Sequence, residues 1–357
     1  MNFRQEFPVL NNYTYLNTAS SGILSQPLLD WRRGHDTDFF NNGSIFRNEK
    51  DKLLLEAKEA VARFFNSKPK NTFLIPNFSF GFNTLLDKLP KSHRFLLLED
   101  DYPSVNYPVQ SRGFIHDYAT ANEYLEENIV EKIKHFEPTV FAFSIVQYIN
   151  GIKIDLEFIK KLKKSFPSLL IVADGTQFCG TEIFDFEDSG IDVFISSAYK
   201  WMLAGYGNGF IFLKDEVINE LFAEAGKLPV PKESFLKGKE LPSFYFEPGH
   251  QDTLAFGSLL QSILFFEKSG FSSLEERIKK VSAAAKVAFI ERGLIDQKVA
   301  ARKDHSSIFN LNINGNIAKR FHDERIVFSE RGTGVRVSFH FYNTENDLQH
   351  LLKVIDK

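Results

Sequence analysis

At 357 residues, with a net charge of −3, 25% charged and 43% hydrophobic residues, the chain has the composition of a soluble globular protein. It exceeds the size that one hydrophobic core usually serves, so two domains, or one large domain with an appendage, are expected. The near-neutral charge argues against nucleic acid or an anionic membrane as main partner, and a single cysteine, Cys179, excludes an intrachain disulfide and a cysteine-based zinc cluster. No stretch approaches the ~18 uninterrupted apolar residues of a membrane span, and Met1-Asn2-Phe3-Arg4-Gln5-Glu6 lacks a basic region leading into an apolar one. A cytoplasmic enzyme is the expectation. Phenylalanine is used 38 times, and many of these rings must lie in the core or at a subunit interface.

Residues 1–25 read as an N-terminal arm or loop, ending in the small, polar run Asn17-Thr18-Ala19-Ser20-Ser21-Gly22. Such residues suit a linker, and they also let backbone come close to a ligand. From Asp51 to Asn66, apolar residues recur at helical spacing (Leu54, Ala57, Val61, Phe64, Phe65). Thr72 to Pro76 is a short strand, and Asn77-Phe78-Ser79-Phe80-Gly81 turns it into a helix running to Leu89. The first turn of a helix offers unpaired backbone amides to an anion, although many such junctions only cap the helix.

Further strands are expected at Arg94–Glu99 and Thr139–Val146, followed by a basic amphipathic helix, Leu156–Ser165. Ser168 to Asp174 is an apolar run ending in a carboxylate. The segment from Ile191 leads to Lys200, and Gly209–Leu213 is another strand. Near-continuous apolar strands alternating with helices argue for an α/β fold with a mostly parallel, doubly wound sheet. Ligands of such sheets bind beyond the strand C-termini, which would gather Ser79, Tyr102, Tyr148, Asp174 and Lys200. Beyond Val217 comes a loop rich in Lys, Pro and Gly (Gly226–Lys239), then helices at Thr253–Lys268 and Ser273–Arg292. Strands at Ser307–Ile313 and Val335–Phe341 follow, and Thr344 with Asp347 forms a variant capping box. The expected boundaries are 26–254 for a large domain and 255–357 for a smaller α+β domain.

A lysine at a strand end is ordinarily a surface charge. One delivered by a buried strand into the glycine-rich turn Gly205-Tyr206-Gly207-Asn208-Gly209 would instead have its pKa depressed and its amine freed as a nucleophile. Lysine with a strand-end aspartate is what pyridoxal 5′-phosphate (PLP) requires: an amine for the aldehyde and an anion for the ring nitrogen.

Ala173-Asp174-Gly175-Thr176-Gln177, Ser197-Ala198-Tyr199-Lys200, and Arg336-Val337-Ser338 followed by Tyr342-Asn343-Thr344 occur in the order seen in the class V, fold-type I PLP enzymes. The chain resembles that family from Tyr15 to about Leu351. The family includes cysteine desulfurases, selenocysteine lyases, kynureninases, isopenicillin N epimerase-like proteins and aminotransferases. The resemblance implies that Lys200 forms a Schiff base with PLP and shuttles the α-proton. It implies that Asp174 pairs with the pyridinium nitrogen and Gln177 with the phenolic oxygen. Ser197 and Tyr199 would bind the phosphate, the tyrosine standing where the family has histidine. Phe78 and Ser79 match two threonines that hold the same phosphate, with only Ser79 keeping the hydroxyl. Tyr102 would stack on the ring and Arg336 would clamp the substrate α-carboxylate, with Arg331 as a rival. Tyr148 stands where an asparagine usually touches cofactor and substrate, with Gln147 as an alternative. His250 would reach the phosphate of the partner subunit in a homodimer, and Arg47 would line the site.

Family desulfurases carry a mobile cysteine before the arginine motif. Here Phe328-Ser329-Glu330-Arg331-Gly332-Thr333-Gly334 has none, so a persulfide route is not expected. Expected instead is a PLP-dependent enzyme acting on an amino acid by transamination, racemisation or epimerisation, or β-elimination. Two other readings stand beside it. One is a non-catalytic PLP-fold binding protein, against which Lys200, Asp174 and Arg336 all argue. The other is a nicotinamide dehydrogenase, disfavoured because the glycines precede a strand rather than a helix.

Overall fold

The computed structural model describes residues 3–229, 233, 236, 238–313 and 315–357, the side chains of residues 48–50 aside. Where the sequence reads as an N-terminal loop, the chain forms a 3-10 turn at Pro8–Asn11 and a two-residue strand, β1 (Thr14–Tyr15), too short for alternation to register. Helices α1 (Gln26–Asn42) and α2 (Lys50–Phe64) follow. Ser25 caps α1 through the Leu28 amide, with proline at the first turn.

The large unit then alternates strand and helix: β2 (Thr72–Ile75), α3 (Phe78–Leu86), β3 (Arg94–Leu98), α4 (Pro103–Ser111), β4 (Ile115–Ala119), α5 (Leu125–Phe136), β5 (Val140–Ser144), α6 (Leu156–Ser165) and β6 (Leu170–Asp174). Strands β7 (Val193–Ser197) and β8 (Gly209–Leu213) complete a seven-stranded sheet of order β2-β8-β7-β6-β5-β3-β4. Neighbours from β4 to β7 are parallel, whereas β8 is antiparallel to both β7 and β2. Only β8 is therefore reversed, and the C-terminal ends of the other strands share one edge. Both β7 and β8 are buried throughout, so their uniform apolar runs carry no sign of direction.

Phenylalanine fills the sheet's interior. Phe194, Phe210 and Phe212 stack on one another, Phe65 lies against Phe210 and Phe186 against Phe212. Each fully buried ring contributes about 1.5–3 kcal/mol.

After α7 (Asp215–Leu221) and α8 (Ser243–Phe246), α9 (Thr253–Ser269) packs on α1, α2 and α10 (Phe271–Glu291). The loop expected at Gly226–Lys239 falls partly outside the described residues. A short α11 (Gln297–Ala300) leads to β9 (Ile308–Leu311), α12 (Gly315–Asp323), β10 (Ile326–Val327), β11 (Ser329–Arg331), β12 (Gly334–Ser338) and α13 (Glu345–Ile355). β11, β12 and β9 form an antiparallel sheet with its own apolar cluster around Phe289, Phe309, Phe321 and Phe339. The Thr344–Asp347 capping box starts α13 as the sequence indicates. β1 pairs in parallel with β10, so the N-terminal arm is tied to this smaller unit.

Candidate active site

The shared strand edge opens into a cavity of about 450 Å³, a normal size for a small ligand. Phe78, Ser79, Tyr102, Tyr148, Asp174, Gln177, Ser197, Tyr199 and Lys200 all line it. Lys200 follows β7 by three residues and is only 6% exposed, with its Nζ 5.5 Å from the ring centroids of both Tyr102 and Tyr199. Gly22 of the arm donates its amide to the Tyr199 carbonyl at 2.9 Å, and a Cβ there would stand 2.1 Å from the Lys200 carbonyl oxygen. The small residues of the arm thus let two backbones touch behind the lysine.

Asp174, the last residue of β6, is 6% exposed, and one of its oxygens accepts the Thr176 amide at 2.8 Å. Burial pushes its carboxyl up, opposed by the Thr176 hydrogen bond and by Lys200. Burial pushes the Lys200 amine down to about 7, opposed by Asp174 and reinforced by Arg336 and Arg331. A protonated lysine is thereby disfavoured and a nucleophilic amine favoured near neutral pH.

At the other end of the cavity stands the first turn of α3. Asn77 caps it through the Phe80 amide at 2.9 Å, and the Phe78 amide donates to the Ser197 hydroxyl at 2.8 Å. That leaves the Ser197 proton available to donate, beside helix-start amides and a nearby tyrosine hydroxyl on Tyr199. This donor-rich end suits a phosphate. The Ser79 hydroxyl is directed at Ser104, 2.9 Å away. Gln177 accepts from Trp201 Nε1 at 2.7 Å and donates to the Ala19 carbonyl at 2.9 Å, which leaves one amide hydrogen for a ligand. Tyr102 meets Tyr148 edge to face at 5.2 Å, and Tyr199 stacks on Tyr206 at 5.0 Å.

Arg336 lies on β12, is 2% exposed, and does not itself line the cavity but is joined to its wall through the Tyr148 carbonyl. Its Nη1 donates to the Tyr148 carbonyl at 2.6 Å and its Nη2 to the Ser20 hydroxyl at 3.0 Å. Nε is buried without a partner, and no carboxylate pairs with this guanidinium among the described residues. Burial, with Arg331 nearby, lowers its pKa to about 10. Nε and Nη2 form the side-on fork of a guanidinium, so the edge that binds a carboxylate in bidentate fashion holds only a serine hydroxyl. The Gln147 amide nitrogen is also buried without a partner.

Two residues singled out in the sequence are not brought in. Arg47 and His250 are exposed, and Arg47 Nη2 lies 3.0 Å from His250 Nε2, so they meet each other rather than this chain's cavity. Sequence reasoning missed several that matter. The Thr176 hydroxyl accepts the Ser197 amide at 3.1 Å, and Asp101 accepts the Ser144 and Tyr102 amides at 2.8 and 2.6 Å, its carboxyl pushed up by burial. Both sit in stretches the strand-end rule marks, but no spacing assigns their partners. Ser20 meets Arg336 across 316 positions, which no local pattern reveals. Cys179 is buried outside the cavity, with its thiol pushed up by burial. Among the described residues no helix is long and apolar enough to cross a membrane, and no metal-ligating cluster occurs.

Residues 15–332 match the family described as aminotransferase class-V. An uncharacterized aminotransferase of Bacillus subtilis (strain 168), YcbU, is 20% identical over 99% of this chain and 96% of its own length. A probable cysteine desulfurase of Ureaplasma parvum serovar 3 is 21% identical over the same shares. Among solved structures, a C-DES mutant with glycine covalently linked to its PLP cofactor superposes with a TM-score of 0.86 at 17% identity, covering 99% of both chains. With nearly the whole chain matched and the fold shared, the protein belongs to the class V aminotransferase family of PLP-dependent, fold-type I enzymes.

Proposed function

We propose that the protein acts on a free amino acid whose α-carboxylate is received by Arg336. The observation that carries this is the buried guanidinium whose side-on fork holds only the Ser20 hydroxyl, with Nε unpartnered. A charge held there without an anion is costly, and a substrate carboxylate would complete it. When bound, PLP supplies an aldehyde for amines and a ring that draws off the electrons of a bond broken at the α-carbon.

The chain's own residues divide the remaining work. Lys200, its pKa brought down to about 7 by burial, is the amine that would hold the cofactor and afterwards carry the proton to or from the α-carbon. Asp174 would pair with the ring nitrogen and keep a proton there. The spare amide hydrogen of Gln177 serves the phenolic oxygen. The helix-start amide of Ser79, with Ser197 and Tyr199, would hold the phosphate, and the Phe78 amide orients the Ser197 hydroxyl for it. Tyr102 would cover one ring face, and Tyr148 would wall the substrate side.

We further propose a homodimer in which Arg47 and His250 face the partner's site, consistent with their exposure and their distance from this chain's own cavity. Transamination is the leading reading. β-Elimination is the second, favoured by the desulfurase-like relative and served by the same residues. A persulfide route lacks its thiol: Cys179 is buried and held protonated. The test is to titrate PLP-loaded protein with a panel of amino acids, following the visible cofactor band and assaying keto acid, alanine and sulfide. Failure of every amino acid to perturb the band would sink the proposal.

A further inference from the structure

Two arginines share one face of the small-unit hairpin. Ser329 pairs directly with Arg336 across β11 and β12, and Arg331 pairs with Gly334. Directly opposed residues point the same way, and positions two apart along a strand return to the same face. Arg331 and Arg336 are therefore diagonal neighbours on one face, with backbones about 7–8 Å apart. That face looks toward the large unit: Asn310, opposite Arg336, donates to the Ile149 carbonyl at 3.4 Å and to the Arg331 carbonyl at 2.8 Å.

Neither arginine has an anion. Arg331 donates from Nη1 only to the adjoining Glu330 carbonyl at 2.8 Å, and neither forms an ion pair among the described residues. Like charges on adjacent positions of one face repel, and a folding role would place a carboxylate between them. The charge of Arg331 is felt inside the site, at Lys200, at Arg336 and at the Tyr148 hydroxyl. An exposed arginine alone is usually satisfied by water. This one stands diagonal to a second guanidinium that has no carboxylate, and its charge reaches Tyr148, which lines the cavity.

We propose that Arg331 is a second anion receptor, and that the amino-acid substrate bears a carboxylate, sulfinate or sulfonate at the end of a short side chain. The α-carboxylate occupies the fork of Arg336 and the distal anion meets Arg331, each cancelling one of two charges that otherwise repel. The inference rests on the reading of Arg336 as α-carboxylate receptor, and the experiment separates the two.

Amine-free acids report the two receptors without chemistry on the cofactor. PLP-loaded wild type, Arg331→Gln and Arg336→Gln proteins are titrated calorimetrically with propionate, butyrate, succinate and glutarate. In the wild type, each dicarboxylate should bind about tenfold or more tightly than the monocarboxylate of similar length. Arg331→Gln should erase that advantage while propionate and butyrate affinities stay within about twofold, and Arg331→Lys should restore part of it. Arg336→Gln should weaken all four acids. Equal wild-type affinity for mono- and dicarboxylates, or a dicarboxylate advantage that survives in Arg331→Gln, overturns the assignment of Arg331 alone. Unchanged affinities in Arg336→Gln, or no binding of any acid by the wild type, overturn the reading of Arg336 and this proposal with it. Arg331 is exposed at a hairpin tip, so its variants keep the fold, and circular dichroism checks that they do.

Discussion

Replacing Arg336 by alanine should lower amino-acid affinity by about a hundredfold while leaving PLP in place. The magnitude follows from the site. Burial and Arg331 bring the guanidinium's pKa well below arginine's ordinary value, to about 10, which at about 1.4 kcal/mol per pKa unit is on the order of 3 kcal/mol of disfavoured charge. A carboxylate seated on Nε and Nη2 relieves that cost, and 3 kcal/mol lies within the range of about 2–5 kcal/mol for truncating one member of a buried charge pair. The assay is a calorimetric titration of wild type and Arg336→Ala with one amino acid and with its decarboxylated amine. The amino acid should lose the hundredfold, and the amine should lose almost nothing. A second measurement uses Arg336→Met without any substrate. Since the guanidinium has no carboxylate partner, removing its charge should leave the thermal midpoint unchanged or raised. Loss of affinity for both ligands alike, or a marked drop in the midpoint of the methionine variant, would refute the reasoning.

Lys200→Ala should hold no PLP that borohydride can fix to the protein, as read by intact mass; a fixed adduct on the variant would show that another amine does the work. PLP loading of cofactor-free wild type should rise as pH passes about 7, the value to which burial lowers Lys200, since only the neutral amine attacks. Asp174→Asn should move that midpoint lower still, because the aspartate's attraction raises the lysine's pKa; stopped-flow loading rates across pH would show a midpoint unmoved or higher if the two groups do not interact. Gly22→Ala forces a Cβ to within 2.1 Å of the Lys200 carbonyl. It should slow loading and lower the thermal midpoint, and wild-type loading in that variant would mean the arm is free to move away.

The parallel sheet and the Lys200–Asp174 axis were legible in the sequence because both depend on local signals: long apolar runs, and chemistry placed at their ends. Lys200, Asp174, Gln177 and Ser197 each lie within a few residues of a strand terminus, where the strand-end rule applies. The reversal of β8 was not legible, since a strand buried on both faces reads alike in either direction. Nor were the links that finish the site: Ser20 with Arg336, Ala19 with Gln177, and Asp101 with the Ser144 amide. Each joins segments distant in the chain, and a serine or alanine in a small-residue loop looks the same whether or not it has such a partner. The Arg47–His250 contact marks a different limit. The resemblance pointed His250 at the partner subunit's phosphate and Arg47 at the substrate site, and within one chain the two meet each other.

The N-terminal arm ties the two units together much as a seat belt does. At one end Thr14 and Tyr15 are laced to β10, and the Leu16 carbonyl accepts the Ser338 amide at 2.8 Å; at the other Gly22 is pinned to Tyr199. Ser20 lies between these anchorages and touches Arg336, which is two residues from Ser338 on the same strand. If the small sheet shifts against the large one, serine and arginine ride together and their spacing is preserved, while their distance from Lys200 changes. Arg336 on the small sheet and Lys200 beside the large one are thus joined through the arm. A protease nick after Leu16 and before Gly22, between the two anchorages, would cut that link without removing any residue that lines the cavity.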